Sequence, residues 1–245
     1  MAGTNMTLTF EPIGVIHSCY KEKFGIPRQP NLVDAPATLT FYPDFAHPDT
    51  VRGLEGFSHI WVMFVFHQLK INKDQKGWSS LVRPPRLGGN KKVGVFSSRS
   101  PFRPNPVGMS AVRLNRIEIT DNGPLLQLSG VDMLDQTPVL DIKPYLPYSD
   151  AIPAARDGFA PAPPEKKISV RFSDRAESQI REKEKNIPHL ETIITKILQN
   201  DPRPAYQAAA TTHEKGARVF GTRIFDFDLK WQIKNNQALV LSLDS

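Results

Sequence analysis

Seven short extended runs, each ended by a turn signal, fill the chain up to about residue 148: MTLTFEPIGVIHS, ATLTFY, SHIWVMFVF, KKVGVFS, MSAVRLNRIEIT, PLLQLSGVDML and TPVLDI. They are rich in the β-branched and aromatic residues that suit a pleated, half-buried surface. Val112, Leu114, Asn115 and Ile117 keep period two with one slip, and none of the runs carries ten residues of helical periodicity. Together they predict a mainly β fold, a largely antiparallel sheet closed into a barrel.

The regime changes after the last run. Residues 149–165, SDAIPAARDGFAPAPPE, are rich in Pro and Ala and lack a hydrophobic period, so they read as a linker. Beyond it KKISVRFS reads as a strand, and Ser173 or Asp174 can cap the helix RAESQIREKEKN. Pro188 interrupts helicity before HLETIITKILQN resumes, and RVFGTRIFDFDLKWQIK and ALVLSLDS read as strands paired around Asn235-Asn236. The organisation expected is a β-barrel over residues 1–150 and a small α+β domain over 165–245.

Several function classes fall away. Cys19 is the single cysteine, which excludes an internal disulfide and a multi-cysteine zinc site, and no metal is expected. MAGTNMTLTF carries no basic signal region, and no run approaches the roughly 18 apolar residues of a membrane span. The cytoplasm is the compartment expected, with no membrane partner. No strand-to-helix G-x-G-x-x-G, no phosphate loop, no G-x-S-x-G elbow and no H-E-x-x-H pair is present, so nothing suggests a Rossmann-type nucleotide site or serine- or zinc-dependent hydrolysis.

Charge is more informative. The formal net charge is +6 and the pI about 9.4, and residues 75–117 hold nine bases (Lys76, Arg83, Arg86, Lys91, Lys92, Arg99, Arg103, Arg113, Arg116) and no acid. Such a stretch cannot neutralise itself and points to an anionic partner. Within it SSRSPFRPNPVGMS sets Arg99 and Arg103 among prolines, and FGIPRQPNL does the same for Arg28 and Gln29. Proline fixes its own φ and restricts its predecessor, so these loops lose little freedom on binding.

Other polar residues sit at the ends of apolar runs. His67-Gln68 closes SHIWVMFVF and could bond the edge of a heterocycle, or cap a strand at the surface. Asp132, Asp135 and Asp141 punctuate VDMLDQTPVLDIKPYLPY, where Asp135-Gln136 resembles a turn and Asp141 and Lys143 face the same way and could pair. A carboxylate there could also receive a proton or hold a ribose hydroxyl.

KEKFGIPRQPNLV, VRGLEGFSHIWVMFVFHQ, VRPPRLGGNKKVGVFSSRSPFRPNPVGMS and LDQTPVLDIKPYLPY together closely resemble the TsaA-like barrel of the TrmO family of tRNA (adenine-N6) methyltransferases. DPRPAY and FDFDLKW resemble that family's C-terminal domain. The resemblance implies a single-sheet β-barrel that binds S-adenosylmethionine and methylates N6 of N6-threonylcarbamoyladenosine, at position 37 beside the anticodon of threonine tRNA. It implies a homodimer with the cofactor near the subunit interface. The family's cofactor contacts carry over to Pro27, Arg28, Gln29, His67, Gln68, Arg99, Met109, Met133, Leu134, Asp135 and Gln136. The linker, KINKDQKGW and QAAATTHEKGAR look freely variable.

Chemistry limits the mechanism that such a resemblance implies. The nitrogen to be methylated is attached to a carbonyl, so a base should take or polarise its proton, and Asp135, Asp141 and His67 are the candidates. Lys143 or Tyr145 could steady the substrate carbonyl or its threonyl carboxylate. Arg83, Arg86, Lys91, Lys92 and Arg103 could track phosphates of the anticodon stem-loop, and Arg203, Tyr206 and Arg223 are candidates for tRNA contact in the C-terminal domain, each with an equally good structural explanation. Without the resemblance, the chain reads as a non-catalytic basic β-barrel that binds RNA, or as a small-molecule-binding regulator.

Overall fold

The computed structural model describes residues 7–69, 77–162, 168–203 and 218–245. Most of KINKDQKGW and QAAATTHEKGAR, together with Lys76 and Tyr206, lies outside the described residues. In the N-terminal region β1 (Gly14–Ser18), β2 (Pro36–Phe41), β3 (His59–Val65), β6 (Val107–Thr120), β7 (Gly123–Ser129) and β8 (Thr137–Pro144) close into a barrel in the order β1-β2-β7-β6-β3-β8. All six pairings are antiparallel, and β1 with β8 makes the closing seam, Gly14 opposite Val139.

Alternation puts one face of every strand inside. Ile16, Leu39, Ile60, Val62, Val112, Leu126, Leu128 and Val139 are buried and fill the barrel, so its interior is a core and not a channel. Register slips between Leu114 and Arg116, and opposite Met63/Phe64, let the sheet bend enough to close. At Gly108 the barrel is packed tightly, since an added Cβ would lie 2.3 Å from Cζ of the Phe64 ring and would have to displace it.

Between β3 and β6 the chain makes a long excursion whose described residues form the short hairpin β4 (Leu81–Val82) and β5 (Val93–Gly94) and two 3-10 turns. KKVGVFS therefore supplies a two-residue strand followed by a 3-10 turn over Val95–Ser97, a reduction from the strand expected. MTLTFEPIGVIHS forms a strand only at its end, and PLLQLSGVDML leaves the sheet after Ser129. A short helix, α1 (Pro147–Asp150), follows β8 and is tied back by Trp61 Nε1, which donates to Asp150 Oδ2 at 2.9 Å. Described residues of the linker are exposed.

The C-terminal unit has a sheet in the order β10-β11-β12-β9, with β9 (Ser169–Phe172) parallel to β12 (Gln237–Asp244). Against it lie α2 (Asp174–Lys183), capped by Ser173 Oγ accepting from Ala176 N, and α3 (Leu190–Gln199), whose Leu190, Ile193, Ile194, Ile197 and Leu198 are buried. RVFGTRIFDFDLKWQIK, read as one strand from the sequence, is two: β10 (Val219–Ile224) turns at Phe225, φ 51°, and returns as β11 (Phe227–Lys234). The Asn235-Asn236 turn forms as expected, both residues at positive φ.

The two units share one continuous core. Residues 20–29, leaving β1, run along the C-terminal sheet: Phe24 stacks on Trp231 at 6.4 Å between centroids, and Tyr20 bridges Ile224. Phe225 N donates to Cys19 O at 2.7 Å, and Arg223 N to Glu22 Oε1 at 3.0 Å. At Gly25, φ 102°, an added Cβ would lie 2.7 Å from Cγ2 of Thr222, so this close approach needs glycine twice over.

Candidate active site

One end of the barrel gathers the polar segments. There β1, β3 and β7 finish and β2, β6 and β8 begin, so residues 19–35, the excursion after Phe66 and the β7–β8 connection all meet at the same mouth. The connection, residues 130–136, crosses that mouth and is pinned at every step. Asp132 Oδ1 accepts from Ser110 Oγ at 2.6 Å, Met133 O accepts from Ser18 Oγ at 2.9 Å, and Asp135 N and Gln136 N donate to Tyr20 O and Ile16 O at 2.8 Å each. Gln136, at φ 62°, completes the turn expected for Asp135-Gln136 and bonds His17, whose other ring nitrogen reaches Thr40.

Residues 21–29 act as a strap linking the pieces. Lys21 Nζ pairs with Asp135 Oδ2 at 2.7 Å, Lys23 Nζ donates to Gln68 O, and Gln29 Oε1 accepts from Arg99 Nη1. Arg28 turns the other way and donates to Asp201 O and Arg203 O of the C-terminal unit. The strap, His67-Gln68, Arg99 and residues 133–136 are thus brought together, although Met133 and Leu134 bury their side chains and present only backbone to the mouth.

Electrostatics separates the two aspartates of the crossing segment. Burial pushes the Asp132 carboxyl up to about 6, against the opposing pull of Ser110 and the charge of Arg99. Burial would also raise Asp135, but Lys21 and the Ser18 N–H, which donates to Oδ1 at 2.9 Å, outweigh it and hold Asp135 below its ordinary range. Both oxygens of Asp135 are engaged, an arrangement that fixes the loop and lowers its basicity. Burial, helped by Lys23, lowers His67, so its imidazole is neutral at pH 7. Burial also lowers Arg28, with Asp201 opposing.

A second group of expected site residues lies elsewhere. Asp141 is on the outer wall, opposite Met63, which is in turn opposite the exposed Met109 on β6. That row places Asp141 about 10 Å from Met109, two strand spacings across the sheet. Lys143 Nζ pairs with Asp141 Oδ2 at 2.7 Å, as their common face allowed, and Tyr145 sits farther along, its ring 5.6 Å from that of Trp61. Asp141, Lys143 and Tyr145 therefore face outward and do not converge on the mouth within one chain.

Arg83, Arg86, Lys91, Lys92 and Arg103 lie on the excursion and form no ion pair among the described residues. Arg86 donates to Ala162 O and Arg103 to Ser98 O. Arg203 needs correction. Its side chain is 4% exposed and forked onto Asp201 at 2.8 and 2.9 Å, a geometry that builds the Asp201–Arg203 corner and leaves no face for a phosphate. Arg223 stays exposed on β10.

Sequence reasoning missed Lys21, Lys23 and Ser110. Nothing local marks them, because each acts on a partner far away in the chain: Asp135, Gln68 and Asp132. Asp132 was visible as one of three carboxylates that could receive a proton, but its partner Ser110 was not.

The donor set suits a zwitterionic nucleoside such as S-adenosylmethionine. Arg99 with Gln29 can take a carboxylate, and the neutral His67 and the backbone of 133–136 offer hydrogen-bonding edges. The cavity behind the strap, lined by Pro27, Arg28, Ile197 and Asn200, holds about 150 Å³. That is under the roughly 300 Å³ at which small-molecule pockets begin, so this cavity is too small for such a ligand. Among the described residues no cluster could hold a metal, and no helix is long and apolar enough to cross a membrane.

A filled barrel with a polar, strapped mouth, and with no Rossmann element among the described residues, defines a β-barrel class of protein whose polar side chains gather on loops at the barrel end. The family model of the tRNA-methyltransferase O N-terminal domain matches residues 15–151, and that of the TrmO C-terminal domain matches residues 165–245. The chain belongs to the TrmO family. It is 43% identical to the tRNA (adenine(37)-N6)-methyltransferase of Escherichia coli over 96% of this chain and 97% of that protein. It is 46% identical to a Pseudomonas aeruginosa protein whose name describes an S-adenosylmethionine-dependent methyltransferase, over 92% and 93% of the two chains. The crystal structure of TrmO from Pseudomonas aeruginosa superposes with a TM-score of 0.78 at 38% identity, over 98% of this chain and 99% of that one.

Proposed function

We propose that this protein methylates N6 of N6-threonylcarbamoyladenosine at position 37 of tRNA, threonine tRNA included, with S-adenosylmethionine as donor. It is an enzyme of the S-adenosylmethionine-dependent tRNA methyltransferase class. What supports the substrate is the pairing at one barrel end of a carboxylate-receiving Arg99–Gln29 couple with an excursion whose cations Arg83, Arg86, Lys91, Lys92 and Arg103 have no acidic partner among the described residues. The cofactor, when bound, supplies an electrophilic methyl group.

The chain's own residues then align and polarise. Arg99 and Gln29 orient the donor's polar end, and the Lys21–Asp135 pair keeps residues 133–136 in place over the mouth. The excursion tracks phosphates, while the target base, in a single-stranded loop, swings out at modest cost. The barrel carries cofactor and chemistry, and residues 165–245 assist tRNA binding while bracing the strap. The protein works in the cytoplasm as a homodimer: the outer face around Met109, with Tyr148 and Ile152 also exposed, gives a second copy an apolar surface to cover.

The test titrates the purified protein with S-adenosylmethionine, then follows labelled methyl transfer to tRNA with and without the threonylcarbamoyl group. Transfer only to the modified tRNA is expected. Cofactor binding without any transfer would leave a sensor, and neither would leave the basic RNA-binding module.

A further inference from the structure

We propose that Asp132, and none of the carboxylates singled out in the sequence as a base, takes the proton from the nitrogen that is methylated. This rests on the methyl-transfer assignment above. Asp132 sits on the segment crossing the mouth, with Oδ1 held by Ser110 Oγ at 2.6 Å and its own backbone N–H also directed at the carboxylate. Around it stand Ser110 from β6, Arg99 from the excursion and Tyr20 from the exit of β1, whose buried hydroxyl has no partner among the described residues. The alternatives are committed elsewhere: Asp135 has both oxygens engaged, and Asp141 is paired with Lys143 on the outer wall.

Its environment matches the task. A carboxyl raised to about 6 is ionised at pH 7.5 yet more basic than a surface aspartate, and a general base works best when its pKa lies near the operating pH. The proton on N6 passes to Oδ2 while the nitrogen lone pair bonds the methyl carbon, and the donor sulfur keeps the electron pair of the broken S–C bond. Asp132 then releases the proton to water, so charge and atoms balance: one sulfonium charge is lost and one proton appears.

Single-turnover transfer to threonylcarbamoylated tRNA, measured from pH 5 to 8.5 on the full chain alongside calorimetric cofactor binding, tests this. Wild type should rise through an acid limb near pH 6 and level off. Asp132→Asn should transfer about 100-fold more slowly or worse while binding cofactor within about threefold of wild type, and Asp132→Glu should recover part of the rate. Ser110→Ala should move the acid limb to higher pH, because the lost donor favours the ionised carboxylate, and a purely structural role would not move that limb. Asp132→Asn within about fivefold of wild type, with its limb unmoved, overturns the proposal. Equal losses of binding and transfer overturn it too, by making Asp132 a cofactor-holding residue. Failure of the wild type itself to transfer sinks the methyl-transfer assignment, and is seen before any variant is compared.

Discussion

Asp132 and Asp135 share one short segment yet titrate in opposite directions, because burial outweighs the Ser110 hydroxyl and the other groups that favour the Asp132 carboxylate, whereas at Asp135 it is outweighed by Lys21 and a backbone N–H. Their effects on stability follow with opposite sign. Asp135 has a folded pKa below its unfolded value of about 3.9, so its contribution is present above that value and is lost as pH falls through the folded one. Between pH 5 and 2.5 the Tm of wild type should fall more steeply than that of Asp135→Asn. Asp132 has a folded pKa above the unfolded one, so its ionised form costs stability above about pH 6, and the cost fades as the carboxyl protonates. Thermal melts should show Asp132→Asn a few degrees more stable than wild type at pH 8, with the difference gone near pH 4. Such a gain in stability on removing a functional charge is what an active-site residue produces. In the sequence Asp132 looked like the tail of a strand. Only the fold shows that Ser110, on another strand, faces it.

At the level of elements, the alternation of the seven runs was enough to predict a barrel, because a period-two pattern can satisfy only a sheet with one face buried. Boundaries were harder. FDFD, residues 225–228, carries no glycine, proline or asparagine, so the reversal at Phe225 left little chemical mark, and tertiary packing of Phe227 and Trp231 decides it. KKVGVFS had the composition of a strand but no neighbouring edge beyond the two residues that pair with Leu81 and Val82. The lip of β6 is closely packed. Gly108→Ala would push the Phe64 ring, destabilising the chain by about 1–3 kcal/mol. Because the same lip carries Met109 and Ser110, calorimetry should show weaker cofactor binding as well as a lower melting temperature.

For the whole molecule, the join between barrel and C-terminal unit could not be read from the linker, which suggested two loosely tethered parts. The contacts are made by the strap instead, and Gly25 is their tightest point. Gly25→Ala should lower the melting temperature and raise the cofactor Kd together, since the strap also carries Gln29 against Arg99. A Kd equal to wild type in a folded variant would show that the strap is only a brace. The unpaired cations of the excursion make a separate prediction: log affinity for tRNA should fall by about 0.7 to 0.9 per phosphate contact for each log unit of salt. A flat salt profile would remove that excursion from the tRNA-binding surface.

The closing seam sets a timetable for biosynthesis. β1 leaves the ribosome well before its second edge can be filled at Val139, and the strap that follows it waits for Ile224 and Trp231. Non-local pairings of this kind form late and slowly. A ribosome-bound chain truncated before β10 would therefore hold the barrel without its strap anchored, and the ability to capture the methyl donor would arrive only once β10 and β11 have emerged.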